Sequence, residues 1–141
     1  MKNLRIYSKN KLIEKIKIHF LIKSLSESLR FKIISLEINF IKADEIVLIN
    51  RKYLKHDYST DIITFNYSEE KNLIDGEIFI SVNDALENAN IFKVSAKEEI
   101  FRLVIHGILH LLGYDDLKKK DKNIMKRLEN RLLNSNKFIL L

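Results

Sequence analysis

The chain has 141 residues, 46% of them hydrophobic and 31% charged, and its 25 Lys and Arg outnumber 19 Asp and Glu to leave a net charge of +6. That balance excludes a disordered or collagen-like chain and fits one globular domain spanning residues 1–141. Cysteine is absent, which excludes disulfides and thiolate metal sites and restricts any ion to His, Asp, Glu or backbone ligands.

The N-terminal stretch MKNLRIYSKNKLIEKIKIHF is interrupted by charge too often for a signal-peptide core. The longest apolar stretch, Leu103 to Tyr114, is broken by two histidines and falls short of the roughly 20 residues that span a bilayer. A cytoplasmic protein without a membrane segment is expected. The basic charge fits an anionic partner such as nucleic acid. A coding bias toward Lys, Ile and Asn, with no Pro, explains the same charge equally well.

Leu4 to Tyr7 reads as a short strand. Residues 11–29 have helical periodicity, with Leu12, Ile16 and Phe20 in one row and Leu21, Leu25 and Leu29 extending the apolar face. Ser35 to Ile41 alternates between apolar and polar residues, as a half-buried strand does. Ala43 to Leu54 returns to helical spacing, with Asp44 and Glu45 at the dipole-favoured start. Lys55 to Ser59 is a polar connection. Thr60 to Tyr67 is β-branched and aromatic, so a strand is expected, then a turn over 68–75 and a second strand from Gly76 to Val82. These two strands suit a hairpin.

A helix is expected over residues 83–92. Another opens at Ser95, where Glu98 three residues on completes a capping-box pattern, and it stops at Gly113. A last helix over about 119–133 has Ile124, Leu128 and Leu132 on its expected inner face, followed by a tail. The fold class is therefore α+β, a small mixed sheet of about four strands packed by about five helices.

The chemistry concentrates in HGILHLLGYDD, residues 106–116. Side chains at i and i+4 of a helix share one face, so His106 and His110 can reach one ion. The helix is otherwise apolar around most of its circumference, so a polar stripe on it needs a partner. A third ligand is sought in the turn after Gly113, where Asp115 and Asp116 carry oxygen donors. The duller reading makes the histidines a chance pair and Asp116 the N-cap of the last helix. Gly107 stands where a zincin carries its catalytic Glu, which disfavours the usual metalloprotease chemistry.

HGILHLLGYDD resembles the signature of the YbeY-type bacterial endoribonucleases, H-G-x-L-H-L-x-G-Y-D-H, and departs from it only at the eleventh position. The resemblance extends to Ile49–Asn50 with Tyr53, to TDIITF at 60–65 and to GEIFIS at 76–81. It implies zinc held at His106, His110 and Asp116, with Asp116 standing where the family pattern has His. One Zn²⁺ per chain is the expected cofactor. A carboxylate is a legitimate zinc ligand, but it lowers the site's charge by one and acidifies bound water less. Leu54 stands where the family pattern has Arg, leaving Lys55 and His56 as candidate RNA contacts, with Arg102.

The resemblance further implies hydrolysis of single-stranded RNA phosphodiesters in rRNA maturation, with RNA and the ribosome or its subunits as partners. Water activated at the metal would be the nucleophile, with Asp115 or Glu77 as candidate general base. Arg102 and Glu98 are candidates to orient His106, and the run Lys118, Lys119, Lys120 and Lys122 lies just beyond the turn. Two other readings compete: a non-enzymatic ribosome-assembly factor with a structural metal, and a metal-dependent hydrolase of another substrate.

Overall fold

In the computed structural model, which describes residues 2–141, four strands form one mixed sheet: β1 (Leu4–Ser8), β2 (Lys32–Ile41), β3 (Ile62–Asn66) and β4 (Leu73–Ser81), in the order β1-β2-β4-β3. β1, β2 and β4 run parallel, whereas β3 pairs antiparallel with β4 as the expected hairpin. Parallel neighbours need crossovers. Helix α1 (Lys15–Leu29) joins β1 to β2, and helix α2 (Ala43–Ile49) begins the connection from β2 toward the hairpin. Helices α3 (Val82–Phe92), α4 (Ala96–Leu111) and α5 (Lys119–Asn136) complete the α+β fold.

Period-two alternation divides the sheet into two faces. In register, Leu36 lies beside Gly76, Ile38 beside Ile78 and Phe40 beside Ile80. These isoleucines and Leu36 are fully buried, in one cluster with Ile18, Leu21, Ile22 and Leu25 of α1 and Leu103, Val104, Ile105 and Ile108 of α4. The opposite face carries Arg5, Glu37, Asn39 and Glu77.

Several boundaries and faces differ from expectation. Helix α1 starts at Lys15 rather than 11, because Asn10 closes a turn: its Oδ1 accepts from Leu12 N–H (2.8 Å) and its carbonyl accepts from Ile13 N–H (3.2 Å). The buried stripe of α1 is Ile18, Leu21, Ile22 and Leu25, whereas Ile16 and Phe20 face solvent. The helix expected over 43–54 ends as an α-helix at Ile49 and widens into a π-turn over Asn50–Leu54. Asn50, buried there, donates from Nδ2 to the Tyr58 carbonyl at 2.8 Å and so ties down the following loop. β4 begins three residues before Gly76, because Leu73 and Ile74 already pair with Lys32 and Ile33.

The expected tail is also structured. α5 continues to Asn136, whose buried side chain accepts from Ser24 Oγ (2.6 Å) and donates to the Leu132 carbonyl (2.7 Å), and a 3₁₀ turn follows over Lys137–Leu140. No helix among the described residues is long and apolar enough to cross a membrane.

Candidate metal centre

Helix α4 presents the two histidines because both of its ends are held. Ser95 Oγ accepts from Glu98 N–H at 3.1 Å, one half of the expected capping box. The Glu98 carboxylate does not return to the cap but pairs with Lys137 Nζ at 3.1 Å. At the other end Gly113 adopts φ +100°, its N–H bonds to the His110 carbonyl (3.0 Å) and Tyr114 N–H bonds to Leu109 O (3.0 Å). That is a Schellman stop, which satisfies two orphan carbonyls and turns the chain back toward the histidines.

Gly107 lets the helix lie close on the sheet. A Cβ there would sit 2.9 Å from Ile78 Cδ1 and 3.1 Å from Ile62 Cδ1. The residue between the histidine turns is thus seated against β3 and β4, and His106 and His110 project from the side of the contact.

The returning turn brings Asp116 to them. His106 Nε2 and His110 Nε2 are 3.0 Å apart, and Asp116 Oδ2 lies 3.7 Å from each. Three ligand atoms on a tetrahedral zinc at bond lengths of about 2.0–2.2 Å stand about 3.3–3.5 Å apart, so the observed triangle brackets that spacing. One atom from each residue falls within a 4.8 Å span, as a shared ion requires. The donor set, two imidazole nitrogens and one carboxylate oxygen, therefore fits a divalent transition metal. Asp116 is not the cap of α5, since Lys118 holds that position. Asp115 instead accepts from Leu117 N–H at 3.3 Å within the turn.

A buried ion network stands behind the triad. Glu129 of α5 accepts a hydrogen bond at Oε2 from His106 Nδ1–H, 2.7 Å away, which leaves Nε2 as the lone-pair nitrogen facing His110 and Asp116. Glu129 Oε1 accepts from Arg102 at 3.1 Å. Arg102 in turn forks onto Glu99, Nε to Oε1 at 2.7 Å and Nη2 to Oε2 at 2.6 Å. The two carboxylates push the guanidinium still further above its ordinary range. Glu99 is 1% exposed and also accepts from Asn88 Nδ2 (3.3 Å), which donates to Asp61 at the entrance of β3 (2.9 Å). Burial, and then the neighbouring His106, lower the pKa of His110, which favours the neutral, ligating imidazole.

This arrangement revises several sequence expectations. Arg102 is paired with Glu99 and Glu129, and it acts on His106 only through Glu129. Glu98, expected to orient His106, is engaged by Lys137. Glu77 sits between Gly76 and Ile78 in β4 and so faces away from α4, which packs on the Gly76 and Ile78 side; it is corrected as a general-base candidate. Lys55 (φ 57°) and His56, whose ring lies tilted against Tyr58 with centroids 5.0 Å apart, lie in the exposed loop after the π-turn.

The sequence pattern of Ile124, Leu128 and Leu132 as the inner face of α5 leaves Glu129 out. The buried face runs instead through Met125, Glu129, Leu132, Leu133 and Asn136, and Ile124 is exposed. The i, i+4, i+7, i+8, i+11 spacing of those residues was the available signal.

Known proteins resemble this chain in sequence and in fold. The family model for endoribonuclease YbeY matches residues 3–137. Proteins named endoribonuclease YbeY are similar along much of the chain. The one from Cytophaga hutchinsonii is 38% identical over 117 residues, 83% of this chain and 82% of its own. The one from Parabacteroides distasonis is 43% identical over 112 residues, 79% and 78% respectively. A solution structure from Thermotoga maritima superposes with a TM-score of 0.70 at 28% identity, covering 95% of this chain and 89% of that one. A match of this extent, on a fold that brings the signature histidines and the turn aspartate together, makes the chain a member of the YbeY endoribonuclease family.

Proposed function

We propose that this protein is a zinc-dependent endoribonuclease that hydrolyses phosphodiesters of single-stranded RNA during rRNA maturation, with precursor rRNA and the ribosome or its subunits as partners. The whole chain serves as one domain for this reaction. The observation that carries the reading is the convergence of His106 Nε2, His110 Nε2 and Asp116 Oδ2 in a family of endoribonucleases.

His106, His110 and Asp116 would hold the ion. When bound, it supplies Lewis-acid polarisation of a phosphoryl oxygen and acidification of water. The remaining work belongs to the chain. Glu129 accepts the Nδ1 proton of His106 and thereby fixes which nitrogen is available to ligate. Burial lowers the pKa of His110 and so favours its neutral form. Asp116 contributes the anionic donor from a position whose side chain is 38% exposed, so substrate can reach it. That exposure favours a reactive site over a sealed structural one, which keeps all its ligand positions closed.

The test is cleavage of a synthetic single-stranded RNA by rigorously RNase-free protein, with His110→Ala alongside and metal content measured in both. The reading predicts about one zinc per chain and cleavage in the wild type, and loss of both in the variant. Equal cleavage by the two proteins would remove the nuclease assignment. Binding to ribosomal particles without cleavage by either would favour the assembly-factor reading.

A further inference from the structure

Beside the metal centre lies a second feature that the ligand triad does not use. A cavity of about 310 Å³ opens along α5, with Asp116 on its rim, Met125 and Glu129 among its walls, and Phe92, Lys122 and Lys126 around it. Its size is at the lower end of pockets that take small organic ligands.

Three observations give it a chemistry. First, Lys122 and Lys126 are one helical turn apart on the same face of α5, both are exposed, and neither has a carboxylate partner among the ion pairs of the described residues. Glu129, the nearest buried acid in the wall, is already occupied by Arg102 and His106, so it does not neutralise them. Second, Phe92 at the end of α3 is 57% exposed, an aromatic ring presented to solvent rather than packed in the core. The Arg102 guanidinium, itself held by Glu99 and Glu129, lies 5.8 Å from its ring centroid and helps fix it. Third, the cavity and the triad share Asp116, so whatever occupies one abuts what occupies the other.

Unpaired cations, an exposed aromatic and an immediately adjacent phosphodiester-cleaving centre call for one kind of occupant. We infer that this cavity is a nucleotide subsite: it takes the nucleoside next to the scissile phosphate, with its base against Phe92 and its flanking phosphate on Lys122 and Lys126. The inference rests on the RNA-cleaving assignment above. The polar anchors come from α5 and the ring from α3, so the subsite spans the two helices that flank α4. Base stacking tolerates any base, so the subsite favours an unpaired strand over a duplex without demanding a sequence.

The experiment is equilibrium binding of a fluorescently labelled single-stranded RNA oligonucleotide with 2′-O-methyl riboses, followed by anisotropy over a range of salt, for the metal-loaded wild type, Lys122→Gln/Lys126→Gln and Phe92→Leu. Zinc content and melting temperature of each variant serve as folding controls. None of the three residues ligates the ion or fills the core, so both should match the wild type.

Removing both lysines from that one phosphate should flatten the plot of log affinity against log salt by about 0.7. Phe92→Leu should weaken binding roughly five- to 150-fold, the range of a lost base–aromatic stack, with the salt slope unchanged. An abasic residue placed at successive positions of the oligonucleotide should make wild type and Phe92→Leu bind equally at one of them.

Folded variants that bind with wild-type affinity and slope overturn the subsite. If the wild type cleaves RNA in that case, the nuclease assignment stands without it. If the variants lose binding as described but the wild type cleaves nothing, the subsite stands and the nuclease assignment falls. A wild type that binds no single-stranded RNA overturns the subsite, and the cleavage assay alone then decides the nuclease assignment.

Discussion

Replacing Glu129 by Gln tests the network behind the triad most directly. The carboxylate is 6% exposed and makes two contacts, Oε2 with His106 Nδ1–H at 2.7 Å and Oε1 with Arg102 at 3.1 Å. The substitution keeps volume and shape, so cavity costs are absent. Arg102 keeps its fork on Glu99, with both distances below 2.8 Å, so the guanidinium is not left unpaired. What changes is the bond to His106. A hydrogen bond to a charged group is worth about 1.5–3 kcal/mol and a neutral one about 0.5–1.5, so about 1–2 kcal/mol of orientation is lost. A Gln that turned its NH₂ toward Nδ1 would also stabilise the other tautomer, placing the proton on the nitrogen that must ligate.

The expected result is zinc affinity lower by about 10–100-fold, the usual cost of losing such a partner. The assay is competition for Zn²⁺ against a chelator of known affinity, with thermal unfolding of the metal-free proteins as the stability control. Affinity within twofold of wild type in a folded variant would refute the argument that Glu129 positions His106. A loss of metal-free stability large enough to unfold the variant would instead make the network chiefly structural. In that event Arg102→Lys, which keeps the charge but loses the fork, should still separate the two roles through its zinc affinity.

Other consequences are simpler to read. Asp116→Ala should reduce zinc affinity strongly while leaving the metal-free fold intact, because the side chain is partly exposed and makes no core contact; retained affinity would move the third ligand elsewhere, and isothermal titration decides. His110 has its pKa lowered below the ordinary 6.5 by burial first and by His106 second. The folded state therefore binds fewer protons there than the unfolded chain, so the metal-free protein should lose stability as pH falls through about 6.5 toward the lower folded value. Urea midpoints across that window should show the loss, and His110→Gln should flatten it. Gly107→Ala should destabilise by up to about 2 kcal/mol, since overpacking of its Cβ against Ile78 and Ile62 costs about 1–3 kcal/mol and helix propensity returns about 0.5–1; urea unfolding measures it. Gly113→Ala meets no neighbour but must adopt φ +100°, so a loss of about 1 kcal/mol or more is expected from backbone strain alone, by the same measurement.

Local rules were legible in the residues themselves. The Ser95 cap, the His106–His110 spacing and the Gly113 stop involve groups within a few positions of one another, so propensity and hydrogen-bond geometry define them without reference to the rest of the chain. Strand alternation at Leu36, Ile38 and Phe40 and the β3–β4 hairpin were similarly local. So was the offer of a carboxylate just beyond the stop, although only the turned chain brings Asp116 to 3.7 Å from both imidazoles.

Which side of an element is covered depends on its partner, and that the tertiary structure decided. An amphipathic helix carries more than one apolar row, and packing selects among them: α1 buries Ile18 and Ile22 and leaves Ile16 and Phe20 in solvent. α5 turns Met125 inward and leaves Ile124 exposed, which takes Glu129 into the interior. A hydrophobicity argument puts a Glu outside, because an unpaired buried carboxylate is costly. Here Arg102 and His106, arriving on another helix, supply its partners and reverse the preference. The parallel pairing of β2 with β4, with β3 sent to the edge, likewise aims Glu77 away from the histidines. The residues that could ligate were written in eleven consecutive positions; what orients them and what lies beside them came from helices brought together only by folding.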